Sequence, residues 1–262
     1  MVATACYKRP KDELMQSQFP LALITGAAHR LGRALALTLA RRAYAILLHY
    51  HSSERKAGQT ALEVSTLGVP VFPFRADLTD PTQIDAMFGF LDTLLADPAN
   101  RLTGLHVLVN SAAIMRTGDL RSMNLASWNE IFDLNLRAPF LCAQSAFRRM
   151  KPGSLIVNMS DIAAEKVWTR YAAYTVSKAA LESLTRLMAR AFAPQVRVNA
   201  IAPGLVLPSD DMPPEDWSRL VSRLPIQRAA HLDEITRSLE FLLDNEYITG
   251  QTIAVDGGYS LL

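Results

Sequence analysis

The feature that most constrains the fold of this sequence is an alternation of short apolar runs with segments of helical periodicity. Seven apolar runs are typical of buried strands: residues 21–24, 45–48, 69–74, 105–109, 154–158, 196–198 and 252–255. The segments of helical periodicity are residues 31–43, 53–67, 81–95, 126–150 (interrupted by Pro139), 171–191 and 232–243. Strands that alternate with helices form βαβ units. The sequence therefore predicts an α/β fold with a doubly wound parallel sheet of about seven strands.

Composition indicates one domain and excludes several classes of partner. Half of the 262 residues are hydrophobic and no Pro/Gly/Ser-rich stretch divides the interior, so we expect a flexible arm over residues 1–18 and one domain over residues 19–262. The 27 basic and 25 acidic residues nearly cancel, which argues against nucleic-acid or membrane-surface partners, and no apolar run reaches membrane-spanning length. Cys6 and Cys142 lack a partner motif. Their isolation excludes a disulfide framework or a cysteine zinc site and favours a cytoplasmic protein without a bound metal.

The turn after the first strand has the composition of a phosphate-binding loop. It runs from Thr25 to Gly32; Gly26 permits a sharp bend and Gly32 lets the following helix approach the sheet. Free N–H groups at the start of that helix can hold a pyrophosphate. An ordinary strand–helix turn is the alternative interpretation, but the position after the first strand of an alternating chain favours a dinucleotide site.

The residues after the second and third strands favour NADP(H) over NAD(H). An NAD-binding fold usually has an acidic residue at the end of the second strand, for the ribose 2′-hydroxyl. This sequence has no carboxylate there, and Arg30 adds a permanent cation. The residues at that strand end are His49, Tyr50, His51, Ser52 and Ser53. After the third strand, Asp77 could accept a hydrogen bond from adenine or could cap a turn. A solvated surface patch is the alternative for the basic residues.

One helical turn carries a tyrosine and a lysine that suit proton transfer. Tyr174 and Lys178 are four residues apart and share a helix face. A nearby ammonium lowers the pKa of a phenol, which could then give a proton to a carbonyl or an imine during hydride transfer. A surface pair is the alternative. Asn110, Asn135 and Asp161 are further polar residues near strand ends or in apolar helix, where each alone could be a cap or a buried amide.

Together these residues resemble the short-chain dehydrogenase/reductase family from Phe19 to Leu262. The resemblance includes the Thr-Gly turn, the Tyr/Lys pair and the strings Pro203-Gly204 and Asp256-Gly257-Gly258. It implies a single-domain Rossmann fold, a homotetramer and a small-molecule substrate. It also implies roles: Tyr174 as general acid/base, Lys178 on the nicotinamide ribose, Asn135 in a proton relay, Asn110 bracing the adenine side, and Pro203 and Gly204 at the carboxamide. Leu31, Leu78 and Ala112 complete the cofactor residues that the resemblance implies.

Within that family the sequence is similar to the pteridine reductases. Asp161 stands where most members have serine, and Arg30 stands where most have glycine. The strings at residues 49–52, 210–214, 247–250 and 256–261 are also similar. The resemblance implies that Asp161 and Tyr174 deliver protons to a pterin ring, while Arg30 contacts phosphate and substrate. The implied substrate residues are Arg30, Ala113, Met115, Trp168, Tyr171 and Leu205. Two of them depart from the pattern, since Met115 replaces a phenylalanine and Ala113 a serine.

The expected function is therefore an NADPH-dependent reductase of a dihydropterin or a similar ring. Trp168 is expected to supply part of the stacking surface that Met115 lacks, although a tryptophan there could instead pack at a subunit contact. Two other functions stay open. One is a reductase of a ketone or quinone carbonyl; the other is a catalytically inactive NADP-binding regulator, which the intact Asn135, Tyr174 and Lys178 disfavour.

Overall fold

The computed structural model describes residues 18–209 and 212–262, and these fold around one seven-stranded parallel sheet. The strand order is β3-β2-β1-β4-β5-β6-β7. The strands are β1 (Phe19–Ile24), β2 (Ala45–Tyr50), β3 (Val71–Arg75), β4 (Leu102–Asn110), β5 (Met150–Met159), β6 (Val196–Pro203) and β7 (Thr252–Val255). The doubly wound parallel sheet predicted from the alternating sequence is confirmed. Residues 1–17 of the predicted arm lie outside the described residues.

The helices connect successive strands and cover the faces of the sheet. They are α1 (Arg30–Arg41), α2 (Glu54–Ser65), α3 (Pro81–Ala96), α4 (Leu125–Phe132), α5 (Ala138–Phe147), α6 (Ala172–Phe192), α7 (Pro214–Ser222) and α8 (Leu232–Asp244). A π-helical turn (Asp133–Arg137) joins α4 to α5, and short 3₁₀ turns lie at Pro98–Asn100, Ile162–Glu165 and Tyr259–Leu261. None of the helices described is long and apolar enough to cross a membrane.

Two helical segments differ from the sequence prediction. The helix expected over residues 126–150 ends at Phe147, and Met150 is already the first residue of β5. Pro139 does not break this helix, because it falls in the first turn of α5, directly after the π-helical turn. The first turn of a helix tolerates proline, although proline has no backbone N–H to donate. Helix α7 was not predicted; Pro214 at its first position and Glu215 and Asp216 in its first turn were its signals.

The sheet is the centre of the hydrophobic core. In β1, Leu21, Leu23 and Ile24 are fully buried, and β2 is buried over Ala45–His49. Helices cover both faces of a doubly wound sheet, so its strands are continuously apolar rather than alternating. The strand order reverses between β1 and β4, and ligands of such sheets bind beyond the carboxyl ends of the strands at that point.

Candidate active site

A cavity of about 690 Å³ runs along the carboxyl edge of the sheet, where the sequence analysis placed the site. It brings together nearly all of the predicted cofactor residues. Those lining it are Gly26, Arg30, Leu31, Gly32, His49, His51, Ser52, Ser53, Asp77, Leu78, Ala112, Tyr174, Lys178, Pro203 and Gly204. Asp161 and Ala113 also line it, whereas Asn110 and Asn135 are buried behind its wall.

The glycine turn is shaped by close backbone contacts. Gly26 has a φ of +66°, and a Cβ there would lie 2.9 Å from the Cα of Ala112. A Cβ on Gly32 would lie only 2.1 Å from the carbonyl oxygen of Gly26. Any side chain at these two positions would push α1 away from the end of β1 and β4. The turn therefore keeps a narrow cradle, with the N-terminus of α1 beside it, that suits a pyrophosphate.

The side chain of His49 holds this turn in place through a hydrogen bond to its backbone. Its ring is buried; Nδ1 accepts a hydrogen bond from the Gly26 N–H at 3.1 Å, and Nε2 lies 3.0 Å from the Ala76 carbonyl oxygen. Burial lowers the pKa of His49 to about 4, so the ring is neutral. Both ring nitrogens are therefore used within the protein. His49 positions the turn, and the donors predicted for a 2′-phosphate are left to its neighbours His51, Ser52 and Ser53 at the cavity rim.

Arg30 stands where most members of the family that the sequence resembles have glycine. The backbone conformation at this position explains why glycine is preferred. Its φ is +52°, in the left-handed region that glycine adopts without strain. Its Nη2 donates to the carbonyl oxygens of Leu207 at 3.2 Å and Pro208 at 2.8 Å. Arg30 thus ties the glycine turn to the loop after β6, and it lines both this cavity and a second one beside it.

Asp77 caps a turn, which is one of the two roles that the sequence left open. Its Oδ1 accepts hydrogen bonds from the N–H of Thr79 at 2.9 Å and from its hydroxyl at 2.8 Å, which caps the turn before α3. Its Oδ2 lies 4.0 Å from His51 Nε2 at the cavity rim. The carboxyl is therefore a structural cap whose second oxygen stays near the expected adenine side.

Tyr174 and Lys178 meet Asp161 in the buried end of the cavity. The Tyr174 hydroxyl donates to Asp161 Oδ2 at 2.7 Å. The Lys178 Nζ donates to the Met159 carbonyl oxygen at 2.7 Å and lies 5.7 Å from the centre of the Tyr174 ring. Tyr174 and Lys178 are both buried. The structure therefore joins three residues that the sequence separates by up to seventeen positions.

Burial sets the protonation of this centre. It raises the pKa of the Asp161 carboxyl, and burial together with the neighbouring Asp161 raises the pKa of Tyr174 well above its ordinary value. Burial lowers the pKa of Lys178 to about 8, although Asp161 and Glu182 oppose that change. The sequence predicts that the Lys178 ammonium lowers the pKa of Tyr174; this prediction was wrong, because burial and the Asp161 carboxyl raise that pKa. The Tyr174 phenol is therefore protonated at neutral pH.

Asn135 anchors the wall of the cavity. It lies in the π-helical turn between α4 and α5, which points its amide at the segment after β4. Its Oδ1 accepts from the Ile114 N–H and its Nδ2 donates to the Ile114 carbonyl, both at 2.9 Å. The Nδ2 also lies 3.2 Å from Ser177 Oγ, which donates to the Tyr174 carbonyl at 2.7 Å. Asn135 reaches the backbone of the tyrosine rather than its hydroxyl, so its relay role stays a prediction.

Asn110 joins the ends of two central strands. Its Nδ2 donates to Asn158 Oδ1 at 2.8 Å, across the β4–β5 pair. Its Oδ1 is buried and has no hydrogen-bond partner among the residues that the structure describes. Beside the glycine cradle, this leaves a buried acceptor at the strand ends where a cofactor is expected to lie.

Two comparisons decide the family of the chain. A family model described as enoyl-(acyl carrier protein) reductase matches residues 26–260. The 3-oxoacyl-(acyl-carrier-protein) reductase FabG of Staphylococcus aureus (strain Mu50 / ATCC 700699) is 32% identical over 244 residues, covering 90% of this chain and 96% of that protein. The chain belongs to the short-chain dehydrogenase/reductase family.

Other members of the short-chain dehydrogenase/reductase family differ in their named activities. The 1-cyclohexenylcarbonyl-CoA reductase of Streptomyces collinus is 32% identical over 265 residues, with coverage of 97% of this chain and 91% of that one. The crystal structure of FolM alternative dihydrofolate reductase 1 from Brucella canis, complexed with NADP, is 33% identical with a TM-score of 0.82. It covers 93% of this chain and 94% of that chain. Closer kinship with the pteridine reductases stays a prediction.

A second cavity of about 770 Å³ opens beside the short-chain dehydrogenase/reductase centre. Asp161 and Arg30 line both cavities and so mark where they meet. Of the predicted substrate residues, Met115, Trp168, Tyr171 and Leu205 line the second cavity. Ala113 does not; it lines the cofactor cavity instead.

The second cavity also contains aromatic residues that the sequence analysis missed. Tyr259 packs against Trp168 with ring centres 5.8 Å apart, and Trp168 meets Tyr171 edge-on at 6.4 Å. Trp217 of α7 lines another part of the wall. Tyr259 lies in a string already noted for its resemblance, but nothing in the sequence places either residue opposite Trp168. Their grouping depends on how the loop after β6 and the last residues of the chain return to the sheet edge.

Proposed function

We propose that this chain is an NADPH-dependent reductase that transfers a hydride to a ring C=N bond of a dihydropterin or a similar fused ring, with Tyr174 as proton donor. The observation that carries the proposal is the 2.7 Å hydrogen bond from Tyr174 to Asp161, at the meeting point of the two cavities. One cavity fits a dinucleotide, and the other is large enough for a flat bicyclic ring.

The residues of the first cavity fit NADP(H). Gly26 and Gly32 keep the cradle open, and no carboxylate stands among residues 49–53 to repel a 2′-phosphate. His51, Ser52 and Ser53 would hold that phosphate, and Lys178 would hold the nicotinamide ribose. When bound, the cofactor supplies the hydride. The NADP complex of the Brucella canis relative, at 33% identity, supports this assignment.

Replacing Arg30 by alanine should weaken NADPH binding much more than NADH binding. The guanidinium is a permanent cation in the lining of the cofactor cavity. One lost charge-assisted contact costs about 1.5–3 kcal/mol, or roughly ten- to a hundredfold in Kd. Titration of the fluorescence of both reduced cofactors measures the two losses. Arg33→Ala, on the next turn of α1 and paired with Glu63, is the matched control. Equal weakening of both cofactors by Arg30→Ala would show that Arg30 is not a ligand of the 2′-phosphate.

Asp161 favours an imine over a ketone as the bond reduced. A ketone gathers negative charge on oxygen as hydride arrives, and a carboxylate beside it opposes that charge. A ring C=N bond is instead activated by protonation at nitrogen, which a nearby carboxyl with a raised pKa can provide or stabilise. The Tyr174–Asp161 pair places a phenol donor beside a carboxyl that takes up a proton more readily than in water.

Trp168 is expected to provide the stacking face for the ring. It lies on the second cavity wall, braced by Tyr171 and Tyr259, while Met115 offers no planar surface. Trp168→Ala should raise the KM of the ring substrate several-fold, because aromatic stacking is worth about 1 kcal/mol. Steady-state kinetics measures this, with Trp128→Phe as a control, since Trp128 stacks on Phe132 and lines neither cavity. A changed assembly state with an unchanged KM would instead place Trp168 at a subunit contact.

Reduction of a ketone is the second candidate, and the relatives favour it. The Staphylococcus aureus protein, 32% identical, is named as a reductase of 3-oxoacyl groups. The apolar wall formed by Leu205, Leu207 and Leu220 could hold an acyl chain. NADPH oxidation with dihydropterins, dihydrofolate, quinones and 3-oxoacyl thioesters distinguishes the two. Turnover of thioesters or ketones alone would refute the ring substrate and keep the Tyr174 chemistry, whereas cofactor binding without any turnover would indicate a regulator.

The proposal extends to assembly and location. The family resemblance implies a homotetramer in the cytoplasm, and light scattering after size-exclusion chromatography would measure the mass of the assembly. A monomer at micromolar concentration would contradict the assembly assignment without affecting the active site.

A further inference from the structure

A buried carboxylate outside the proposed proton chemistry lies one helical turn beyond Lys178. Glu182 follows Lys178 by four residues, just as Lys178 follows Tyr174, so the three side chains form one stripe along α6. Glu182 is only 9% exposed. Charged residues are seldom buried without a partner, so a third ionisable group on this stripe needs an explanation.

Each residue of the stripe forms a hydrogen bond with a residue at the end of β5 or directly after it. Three consecutive residues of this strand end each bond to one member of the stripe: Asp161 to Tyr174, Met159 to Lys178, and Ser160 to Glu182. In the last of these, the Ser160 hydroxyl donates to Glu182 Oε1 at 2.8 Å, and Ser160 itself is buried. One turn further along, Asn158 Nδ2 donates to Thr185 Oγ1 at 2.8 Å. Glu182 therefore belongs to the set of contacts that fixes where the strand end meets the helix.

Glu182 also belongs to the charge balance of Lys178. Burial lowers the pKa of Lys178 to about 8, and the carboxyls of Asp161 and Glu182 both act to keep its ammonium protonated. Around Glu182 itself, burial raises the pKa, as does Glu165 from the 3₁₀ turn; Ser160, Arg186 and Lys178 lower it. Asp161 already accepts a hydrogen bond from Tyr174, so Glu182 is a second carboxylate that contributes to the charge balance of the lysine.

We propose that Glu182 is a positioning residue of this site: through Ser160 it holds the end of β5 in register with α6, and its charge keeps the Lys178 ammonium in place. The inference rests on the proposed function, because it gives Lys178 a task as an ammonium. Its physical content, the coupling of Glu182 to Lys178, exists in the protein without cofactor or substrate.

Glu182→Gln tests the charge alone, since glutamine keeps an oxygen to accept from Ser160. Without the carboxylate, the pKa of Lys178 should fall by about one further unit, the usual size of a lost opposite charge. Lys178 is an ammonium below its pKa and loses this charge as the pH rises through that value. We therefore expect kcat/KM to be nearly unchanged at pH 6.5 and reduced roughly tenfold at pH 8.5. Glu182→Asp keeps the charge and should restore the wild-type pH profile.

The titration of Lys178 can be followed directly in the ligand-free protein by NMR of labelled lysine side chains, with Lys178→Met identifying the resonance. Glu240→Gln, the same change on α8, is the matched control and should leave the titration unaltered. A Lys178 pKa in Glu182→Gln equal to that of the wild type would overturn the electrostatic role. This readout does not depend on the substrate, so it separates failure of the inference from failure of the proposed function.

Ser160→Ala tests the positioning role, since it keeps the charge of Glu182 and removes the hydrogen bond. We expect kcat to fall about three- to tenfold, as small misplacements of a proton donor do, with the alkaline limb of the pH profile at its wild-type position. Wild-type kcat in Ser160→Ala would overturn the positioning role. An alkaline limb that moves in Ser160→Ala but not in Glu182→Gln would overturn the assignment of the charge to Glu182.

Discussion

Tyr174→Phe should lower kcat by about 10²- to 10⁴-fold while leaving the Kd for NADPH within a factor of a few, because general acid catalysis contributes rate of that size and only a hydroxyl is lost. The ring of Tyr174 stays in place, so Lys178 keeps its packing and its bond to the Met159 carbonyl. The Asp161 carboxyl also keeps the hydrogen bond from the Ala163 N–H at 2.8 Å. The variant should therefore fold and bind cofactor normally.

Stopped-flow and steady-state measurements of NADPH oxidation, with fluorescence titration of NADPH, separate the two effects of Tyr174→Phe. Tyr247→Phe is a control, since this tyrosine is fully exposed and lines neither cavity. Turnover by Tyr174→Phe within a few-fold of wild type would show that the proton comes from another group. Loss of NADPH binding in parallel with turnover would show that the hydroxyl holds the cofactor instead.

The sheet could be predicted because its strands are continuously apolar. Residues 21–24 and 45–48 have this pattern and lie within β1 and β2. The missed parts are those where pairing overrides local preference. Met150 pairs with Leu105, so β5 begins there despite Pro152 and Gly153, which are unusual inside strands. Similarly, Gly104 lies inside β4 with a φ of +137°, although the predicted strand begins at residue 105.

The sequence predicted which residues form the candidate site better than it predicted their pKa values and hydrogen-bond partners. Residue spacing placed Tyr174 and Lys178 on one helix face, and resemblance added Asp161. The rise in the pKa of Tyr174 could not be foreseen, because it depends on burial and on the distance to a carboxyl from another element. The role of His49 was hidden for a similar reason: its two partners, Gly26 and Ala76, come from segments on either side of it in sequence.

Replacing Asp161 by serine should lower dihydropterin turnover by about a hundredfold, within the range that one proton-transfer group contributes. Ketone turnover should survive or rise, since serine removes the carboxylate that opposes negative charge on a carbonyl oxygen. Asp161→Asn is the matched control: its amide oxygen can still accept from Tyr174, but it cannot exchange a proton. Wild-type pterin turnover should fall as the pH rises through the raised pKa of Asp161, and this dependence should disappear in Asp161→Asn.

Stability gives an independent measure of the Asp161 carboxyl. Because burial raises its pKa, the folded protein holds this proton more tightly than the unfolded chain does. The cost of the buried charge is therefore absent at acid pH and grows as the pH rises from the unfolded value to the folded value. Asp161→Asn avoids this cost, so its Tm advantage over wild type should be larger at pH 7 than at pH 4, measured by calorimetry. A pH-independent Tm difference, together with unchanged pterin turnover in Asp161→Ser, would show that this carboxyl is an ordinary cap of the turn at Ile162–Glu165. A Tm difference that grows with pH, together with reduced pterin turnover in Asp161→Ser, would show that the chain retains a destabilising carboxyl because the reaction uses its proton.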